Sequence, residues 1–131
     1  MADLYINDLI GVRFTNHGRS IAEGFDCYGL AIEVSKRLGH TLPDLWYQKS
    51  CPETFSAHVD DVYKQMSSVV EETTEQNLGN LILFGDNKGR MVHIGVILEE
   101  GVFIHAGNDG VKVISLDNYY RKIWKVYKWL Q

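Results

Sequence analysis

The sequence predicts an α+β fold, in which N-terminal helices pack on a C-terminal antiparallel meander sheet of about five strands. In residues 27–38 and 55–69, apolar positions recur at the three- and four-residue steps of a helix. From Leu78 onward the apolar period changes to two, which is typical of strands. Helices followed by a series of strands indicate the α+β class.

The first helix is predicted over residues 27–38. Asp26 is a suitable N-cap, because its carboxylate can accept hydrogen bonds from the free backbone N–H groups of the first turn. Apolar residues then recur at helical spacing until Gly39, a residue type that commonly follows the end of a helix. The preceding residues, 1–24, are predicted to form a short helix or turn followed by a loop.

A second helix is predicted after Pro52, because proline suits the first turn of a helix. We expect this helix to end among residues 71–77, which present no apolar face. Its apolar positions step by four, three, four and three residues: Phe55, Val59, Val62, Met66 and Val69.

Five strands are predicted in the remainder of the chain, because short apolar segments alternate there with turns rich in glycine, asparagine and aspartate. The predicted strands cover residues 80–84, 91–98, 102–106, 111–114 and 123–129.

The turn between the second and third of these strands determines their register. If residues 99–101 form a three-residue loop with Gly101 in the left-handed conformation, Gly95 faces His105. His93 and His105 then lie on one face as diagonal neighbours, with Cα atoms about 7–8 Å apart, which allows a hydrogen bond between the rings. A two-residue turn would separate the histidines and mix His105 with apolar residues. The opposite face is apolar in the favoured register: Val92, Ile94, Val96, Leu98, Val102, Ile104 and Ala106.

Length and composition indicate one globular domain over residues 1–131. The 13 Lys and Arg against 17 Asp and Glu give a net charge of −4, which disfavours binding to nucleic acid. The longest apolar stretch, residues 81–84, is far shorter than the ~20 residues of a membrane span. Residues 1–5 lack a secretion signal. We therefore expect cytoplasmic synthesis, where Cys27 and Cys51 stay reduced.

Cys27 begins the first predicted helix, and this position suits a nucleophile. Free backbone N–H groups and the positive end of the helix dipole stabilise a thiolate, so we expect a depressed thiol pKa. If His93 lies within hydrogen-bond reach, it can take the thiol proton while His105 orients the His93 ring. Backbone N–H groups at the helix start would form part of an oxyanion hole.

Three sequence blocks carry a family resemblance: GFDCYGL at 24–30, HIGV at 93–96 and FIHA at 103–106. They resemble the F-D-C-S-G-L, H-V-G-I and I-H-A blocks of the NlpC/P60 cysteine peptidases. The resemblance implies a papain-like fold and hydrolysis of amide bonds in peptidoglycan stem peptides, typically between D-γ-glutamate and the following diamino acid. It implies that Cys27 is the nucleophile, His93 the general base and acid, and His105 the third, polar member. We expect no cofactor and no metal.

Two features are similar to the branch of this family found in phage tail-tip proteins. Tyr28 follows the cysteine where serine is commoner, and residues 116–121 precede an aromatic strand. Since the chain has neither a signal peptide nor a wall-binding repeat, we expect a phage or phage-like tail to carry it to the cell wall. Tail-tip proteins are then expected partners.

The chain also departs from the family pattern, in ways that bear on specificity and efficiency more than on the fold. Phe14 and Thr15 stand where many members have a tyrosine that lines the substrate site. Arg19 stands at the second position of the usual Gly-Gly pair, and Asn80 replaces the aspartate that usually opens the first strand.

Several residues have two interpretations. Asp26 either caps the helix alone or also contacts a substrate amine, and Tyr28 either shapes the substrate groove or packs in the core. A zinc site built from both cysteines with His93 and His105 has suitable ligand types but lacks paired short spacings. Cys51 is expected to be structural, and the other histidines are expected in loops or on the surface: His17, His40 and His58.

Two alternative functions remain open for the same domain. The domain can serve as a structural module of tail-tip assembly with weak or no hydrolysis. It can also be a papain-like amidase or acyltransferase that acts on another substrate.

Overall fold

The computed structural model describes residues 4–44, 64, 67–85 and 91–130. Within these ranges the elements are β1 (Arg19–Ser20), β2 (Gly24–Phe25), α1 (Cys27–Arg37), β3 (Val70–Thr73), β4 (Leu81–Gly85), β5 (Met91–Glu99), β6 (Val102–Gly107), β7 (Gly110–Ser115), a 3₁₀ turn (Tyr120–Lys122) and β8 (Ile123–Trp129). Among them, no helix has the length and apolar character needed to cross a membrane.

The main sheet has six antiparallel strands in the order β3-β8-β4-β5-β6-β7. The α+β class is therefore confirmed, with one strand more than predicted. The four strands β4 to β7 form the expected meander. Strand β8 does not follow β7 in the sheet but returns to pair with β4.

The additional strand, β3, corrects the predicted end of the second helix. Residues 70–73 are extended and pair with β8, from Val70 opposite Trp129 to Thr73 opposite Val126. Only Val70 of this strand is buried, so it lacks the apolar alternation that marks a strand in sequence. Most of the predicted helix itself lies outside the described residues.

Helix α1 begins and ends as its sequence predicts. The Asp26 carboxylate accepts a hydrogen bond of 2.7 Å from the Gly29 N–H, and Gly39 has a φ of +89° just beyond the last turn. The buried face of α1 packs on β5 and β6. The residues of this first core include Tyr28, Leu30, Ala31, Val34, Ile94, Val96, Ile104 and Ala106.

A second core covers the opposite face of the sheet. The sequence predicted that His93 and His105 would lie opposite an apolar face, and this is confirmed, but their own face is apolar too. Residues 81–84 form an apolar run because the sheet is buried on both sides: Leu81 and Leu83 belong to the first core. The second core contains Ile82, Phe84, Ile97, Phe103, Leu116 and Val126.

The β5–β6 hairpin has the predicted register away from its turn. Val96 pairs with Ile104 and Ile97 with Phe103. At the turn the prediction is wrong in detail, because Glu99 rather than Leu98 pairs with Val102 and the strand carries a bulge. The bulge takes up the extra residue that the three-residue loop was expected to hold.

The segment before β1 contains turns and is tied to the start of β7. Gly11 N–H donates to the Val111 carbonyl, and Val111 N–H donates to the Val12 carbonyl, both at 2.9 Å. Gly110 makes this approach possible, because it has a φ of +95° and a Cβ there would lie 2.8 Å from the Val12 oxygen.

We predict that Gly110→Ala destabilises the protein more than Gly39→Ala. Both positions have positive φ and share a strain of about 1 kcal/mol per substitution. Only Gly110 also meets backbone, whereas a Cβ at Gly39 meets no described atom within 4 Å. The clash should add about 1–3 kcal/mol. Urea unfolding of the two variants measures the difference, and equal losses of unfolding free energy would contradict the close contact.

Candidate active site

The two histidines predicted to converge do meet on the second face of the sheet. His93 Nε2 lies 2.7 Å from His105 Nδ1, and the two ring planes are nearly perpendicular, at 88°. Gly95 permits this arrangement, because a Cβ there would lie 2.9 Å from both the Ile104 carbonyl oxygen and the Phe103 ring. The strand register therefore builds a direct hydrogen bond between the two imidazoles.

Three aromatic rings support the histidine pair. Phe84 lies 5.8 Å from His93 and Phe103 lies 5.2 Å from His105, measured between ring centroids. Tyr119 contacts both phenylalanines edge-on. These rings hold the imidazoles in place and exclude water from one side of them.

Sequence reasoning missed this aromatic support. For Phe103 a signal was available, because the alternation that places His105 on this face also places Phe103 there. Tyr119 comes from the turn before β8, where no periodicity indicates which way a side chain points.

Cys27 is half-buried at the start of α1. The backbone N–H groups of Ile94, Tyr28 and Cys27 itself act on the thiol and lower its pKa. Since Ile94 directly follows His93, the packing of α1 on β5 brings the sulfur against the strand that carries the first histidine.

The expected depression of the thiol pKa is wrong for the resting protein. Burial, with a smaller contribution from the Asp26 carboxylate, raises the pKa of the Cys27 thiol to about 12. The backbone N–H groups lower the pKa of Cys27, as the helix-terminus argument predicted, but burial outweighs them. Partial shielding from water reduces the hydration that would stabilise a negative charge on the sulfur.

Both histidines are held in the neutral form. Burial and the nearby His105 lower the pKa of His93 to about 3. Burial and the Lys112 ammonium lower the pKa of His105. At neutral pH the three groups are therefore an uncharged thiol and two neutral imidazoles, one of which donates to the other.

Asp26 is fully engaged inside the protein. Its Oδ1 accepts from Gly29 N–H and from Arg19 Nη1, at 2.7 and 2.9 Å. Its Oδ2 accepts from the backbone N–H of His17 at 3.0 Å. The residue is only 4% exposed, so its contacts are those of a helix cap and an ion-pair partner. A contact with a substrate amine stays a prediction.

Tyr28 occupies the core, the second of its two predicted placements. It is 1% exposed, and its hydroxyl donates to the Pro43 carbonyl. Burial raises the pKa of Tyr28, which keeps the phenol protonated.

The remaining candidate residues have separate surroundings. At the place of the family tyrosine, Phe14 forms a bridge with Phe25, and Thr15 N–H donates to the Phe25 carbonyl at 3.0 Å. His17 lies in a loop with a φ of +61°, and His40 stacks on Trp129 with a centroid separation of 4.4 Å.

The zinc interpretation gains no support from the described part of the chain. There, no three His, Cys, Asp or Glu side chains are grouped as ligands of one metal ion. Cys51, which the zinc interpretation needs, lies outside the described residues, as does His58.

Comparison with known proteins relates this arrangement to one family. The NlpC/P60 family pattern matches residues 11–130. The probable peptidoglycan endopeptidase LytE of Bacillus subtilis (strain 168) is 30% identical over 112 residues, which are 82% of this chain and 26% of that protein. The chain therefore spans about a quarter of the length of this curated relative.

Solved structures show the same fold. An NLP/P60 family protein similar to a lipoprotein, from Staphylococcus aureus, superposes with a TM-score of 0.65 at 23% identity, over 92% of this chain and 37% of that one. The NlpC/P60 domain of the peptidoglycan hydrolase SagA gives 0.61 at 20% identity, over 92% of this chain and 89% of that one. A Bacillus cereus NlpC/P60 family protein gives 0.64 at 22% identity, over 99% and 43%. Because the family match spans every segment that carries Cys27, His93 and His105, this chain belongs to the NlpC/P60 family.

Proposed function

We propose that this protein is a cysteine endopeptidase that hydrolyses amide bonds in peptidoglycan stem peptides. Cys27 is the nucleophile, His93 the general base and acid, and His105 the third, polar member. The observation that carries the proposal is the 2.7 Å hydrogen bond between His93 and His105. It is supported by the effect of the adjacent Ile94 N–H on the Cys27 thiol, whose pKa it lowers.

In the proposed mechanism, the contact between the rings and the role of His93 as base together determine which nitrogen of each histidine carries a proton. His93 Nε2 bonds to His105, so Nδ1 is the His93 nitrogen that remains to act on Cys27. For Nδ1 to accept a proton, neutral His93 must carry its hydrogen on Nε2 and donate it to His105 Nδ1. His105 then carries its own hydrogen on Nε2. This is the orienting role that the third member of such a triad performs.

The reaction proceeds through an acyl-enzyme. As the sulfur attacks the scissile carbonyl carbon, the thiol proton passes to His93 Nδ1 and a tetrahedral oxyanion forms near the backbone N–H of Cys27. The imidazolium returns that proton to the leaving amine as the C–N bond breaks, which leaves a thioester. His93 then takes a proton from water, the hydroxyl adds to the thioester, and the departing sulfur recovers the proton.

Burial requires the two charges of the first step to appear together. A lone thiolate and a lone imidazolium are both disfavoured here, as the raised pKa of Cys27 and the lowered pKa of His93 show. A thiolate beside an imidazolium is a pair with no net charge, and its mutual attraction offsets part of the desolvation. Proton transfer therefore accompanies attack on a bound substrate.

Peptidoglycan is proposed as the substrate because of the relatives' described activities. LytE is described as a probable peptidoglycan endopeptidase, and SagA as a peptidoglycan hydrolase. Within that substrate we propose the bond between D-γ-glutamate and the following diamino acid. We further propose that the protein is made in the cytoplasm and acts at the cell wall as part of a phage or phage-like tail, with tail-tip proteins as partners.

One observation favours a second candidate function. The raised pKa of the Cys27 thiol makes the resting sulfur a weak nucleophile. This fits a tail-tip structural module with weak or no hydrolysis.

We predict that Cys27→Ala abolishes cleavage of purified muropeptides, because alanine offers no atom to form the acyl-enzyme. The loss should be at least about a thousandfold in kcat, measured by mass spectrometry of the released peptides. Cys51→Ser, which changes the cysteine outside the proposed triad, should cleave like the wild type. Absence of cleavage by the wild type on every muropeptide tested would favour the structural module.

We also predict that His105→Ala lowers kcat by about a hundredfold, with little change in KM, because His93 loses the acceptor that orients it. His105→Asn keeps an acceptor oxygen and should retain more activity than the alanine variant. Steady-state kinetics on one muropeptide decide the order, and alanine and asparagine variants of equal activity would remove His105 from the mechanism.

Finally, iodoacetamide labelling of Cys27 should keep accelerating above pH 9 in a Cys51→Ser background. Burial raises the pKa of Cys27, so the reactive thiolate increases with pH throughout this range. Labelling rates from pH 6 to pH 10, followed by mass spectrometry, test this. A plateau reached below pH 8 would show instead that a thiolate–imidazolium pair already exists in the resting protein.

A further inference from the structure

The residue next to the nucleophile is a buried negative charge. Asp26 is 4% exposed and directly precedes Cys27, whose sulfur must become negative during the proposed reaction. Its carboxylate acts against that change, since it raises the pKa of the thiol. The cap that starts α1 therefore opposes the chemistry proposed for the first residue of the same helix.

Arg19 counters this charge directly. Its Nη1 lies 2.9 Å from Asp26 Oδ1, and its side chain is 21% exposed. The same Nη1 donates to the Gly18 carbonyl at 2.9 Å. The guanidinium is thus held against the Asp26 carboxylate by two contacts from one nitrogen.

The location of Arg19 is built into the start of α1. A Cβ on Gly29 would lie 2.9 Å from Arg19 Nη1 and 2.1 Å from the Gly18 carbonyl oxygen. Only glycine at position 29 lets the arginine reach the first turn of the helix. Its guanidinium also lies 5.9 Å above the Tyr28 ring. Cap, arginine and helix turn therefore form one packed unit.

We propose that Arg19 is a positioning residue that neutralises Asp26 and so reduces the repulsion between this carboxylate and the developing thiolate of Cys27. The inference rests on the proposed role of Cys27 as the nucleophile. Arg19 touches neither substrate nor sulfur in this proposal; it acts through Asp26 alone.

Other charges near this unit act more weakly. Asp44 also binds Arg19, through Nε at 3.0 Å, but its side chain is 52% exposed, so water screens it. Asp26 is the carboxylate that burial leaves unscreened. Several titratable groups of the described residues surround the unit and the proposed proton acceptor. They include His17, Arg19 and Glu23 before α1, Asp26 and Tyr28 at its start, Asp44 after it, His93 on β5, His105 on β6 and Lys112 on β7.

The test measures the iodoacetamide labelling rate of Cys27 at pH 8.5 in a Cys51→Ser background. Arg19→Gln removes the guanidinium that lies against Asp26, so the rate should fall about three- to tenfold. Asp26→Asn removes the repelling charge and keeps an acceptor for the Gly29 N–H, so the rate should rise by a similar factor. The double variant should return to within about threefold of the wild-type rate.

The labelling rate is expected to change in opposite directions in the two single variants, and this distinguishes an effect of charge from a loss of local structure. If Arg19 and Asp26 serve only to hold the helix start together, both single variants break the same contact and change the rate in the same direction. That result, or an unchanged rate in Arg19→Gln, would overturn the proposal. Arg19→Lys keeps the charge and should stay near the wild-type rate.

Arg37→Gln is the matched control. Arg37 lies at the other end of α1 and binds Asp8 and Glu33 at 2.6 and 2.8 Å, so its loss removes a comparable charge and comparable ion pairs. It should leave the labelling rate unchanged. Thermal unfolding of each variant shows that the protein is folded. If Arg19→Gln does not fold, the other two variants still test the proposal. The labelling rate should rise in Asp26→Asn and stay near the wild-type rate in Arg19→Lys.

The readout is independent of peptidoglycan. Opposite shifts in labelling together with no muropeptide cleavage would contradict the proposed hydrolase and leave the role of Arg19 intact. Muropeptide cleavage by the wild type without opposite shifts in labelling would support the proposed hydrolase and contradict the role of Arg19.

Discussion

The packing of α1 on β5 and β6 is the contact on which the site depends. It buries Leu30 and Val34 against Ile94 and Ile104 in the first core, and it carries the helix start to the backbone of Ile94. Two features of the sequence determine where the helix starts: the Asp26 cap and the apolar face that follows it. The position of the sulfur relative to the strand is therefore a result of ordinary core packing, and no separate device is needed to bring it there.

The histidines depend on the opposite face of the same sheet. Their hydrogen bond needs the β5–β6 register, and the second core behind it supplies Phe84 and Phe103 as neighbours. Because α1 covers one face and the aromatic core the other, Cys27, His93 and His105 are partly shielded from water. The same packing that places them also keeps them neutral. The packing on the two faces of the sheet thus determines both the geometry and the electrostatics of the site.

The sequence carries the local rules and the alternation, and these predicted α1, its cap and the shared face of His93 and His105. Pairing between strands that are far apart along the chain cannot be predicted from these local patterns. Strand β3 has one buried residue and is held by backbone pairing with β8, helped by ion pairs such as that of Glu71 with Lys128. The thiol pKa failed as a prediction for a related reason: the helix-terminus effect is local, whereas burial depends on the whole fold.

Asp26 connects the stability of the domain to its reactivity. As a cap it accepts a hydrogen bond from the N–H group of Gly29, a contribution of about 1 kcal/mol for a typical cap, and it also accepts one from the N–H group of His17 in the preceding loop. As a charge it disfavours the thiolate of the next residue. A neutral cap such as serine would satisfy the N–H groups without this conflict, but it could not hold Arg19 by charge. In the proposed mechanism the carboxylate is compatible with a nucleophile at position 27 because a cation lies beside it, so the ion pair, and not the aspartate alone, is the unit on which the reactivity of Cys27 would depend.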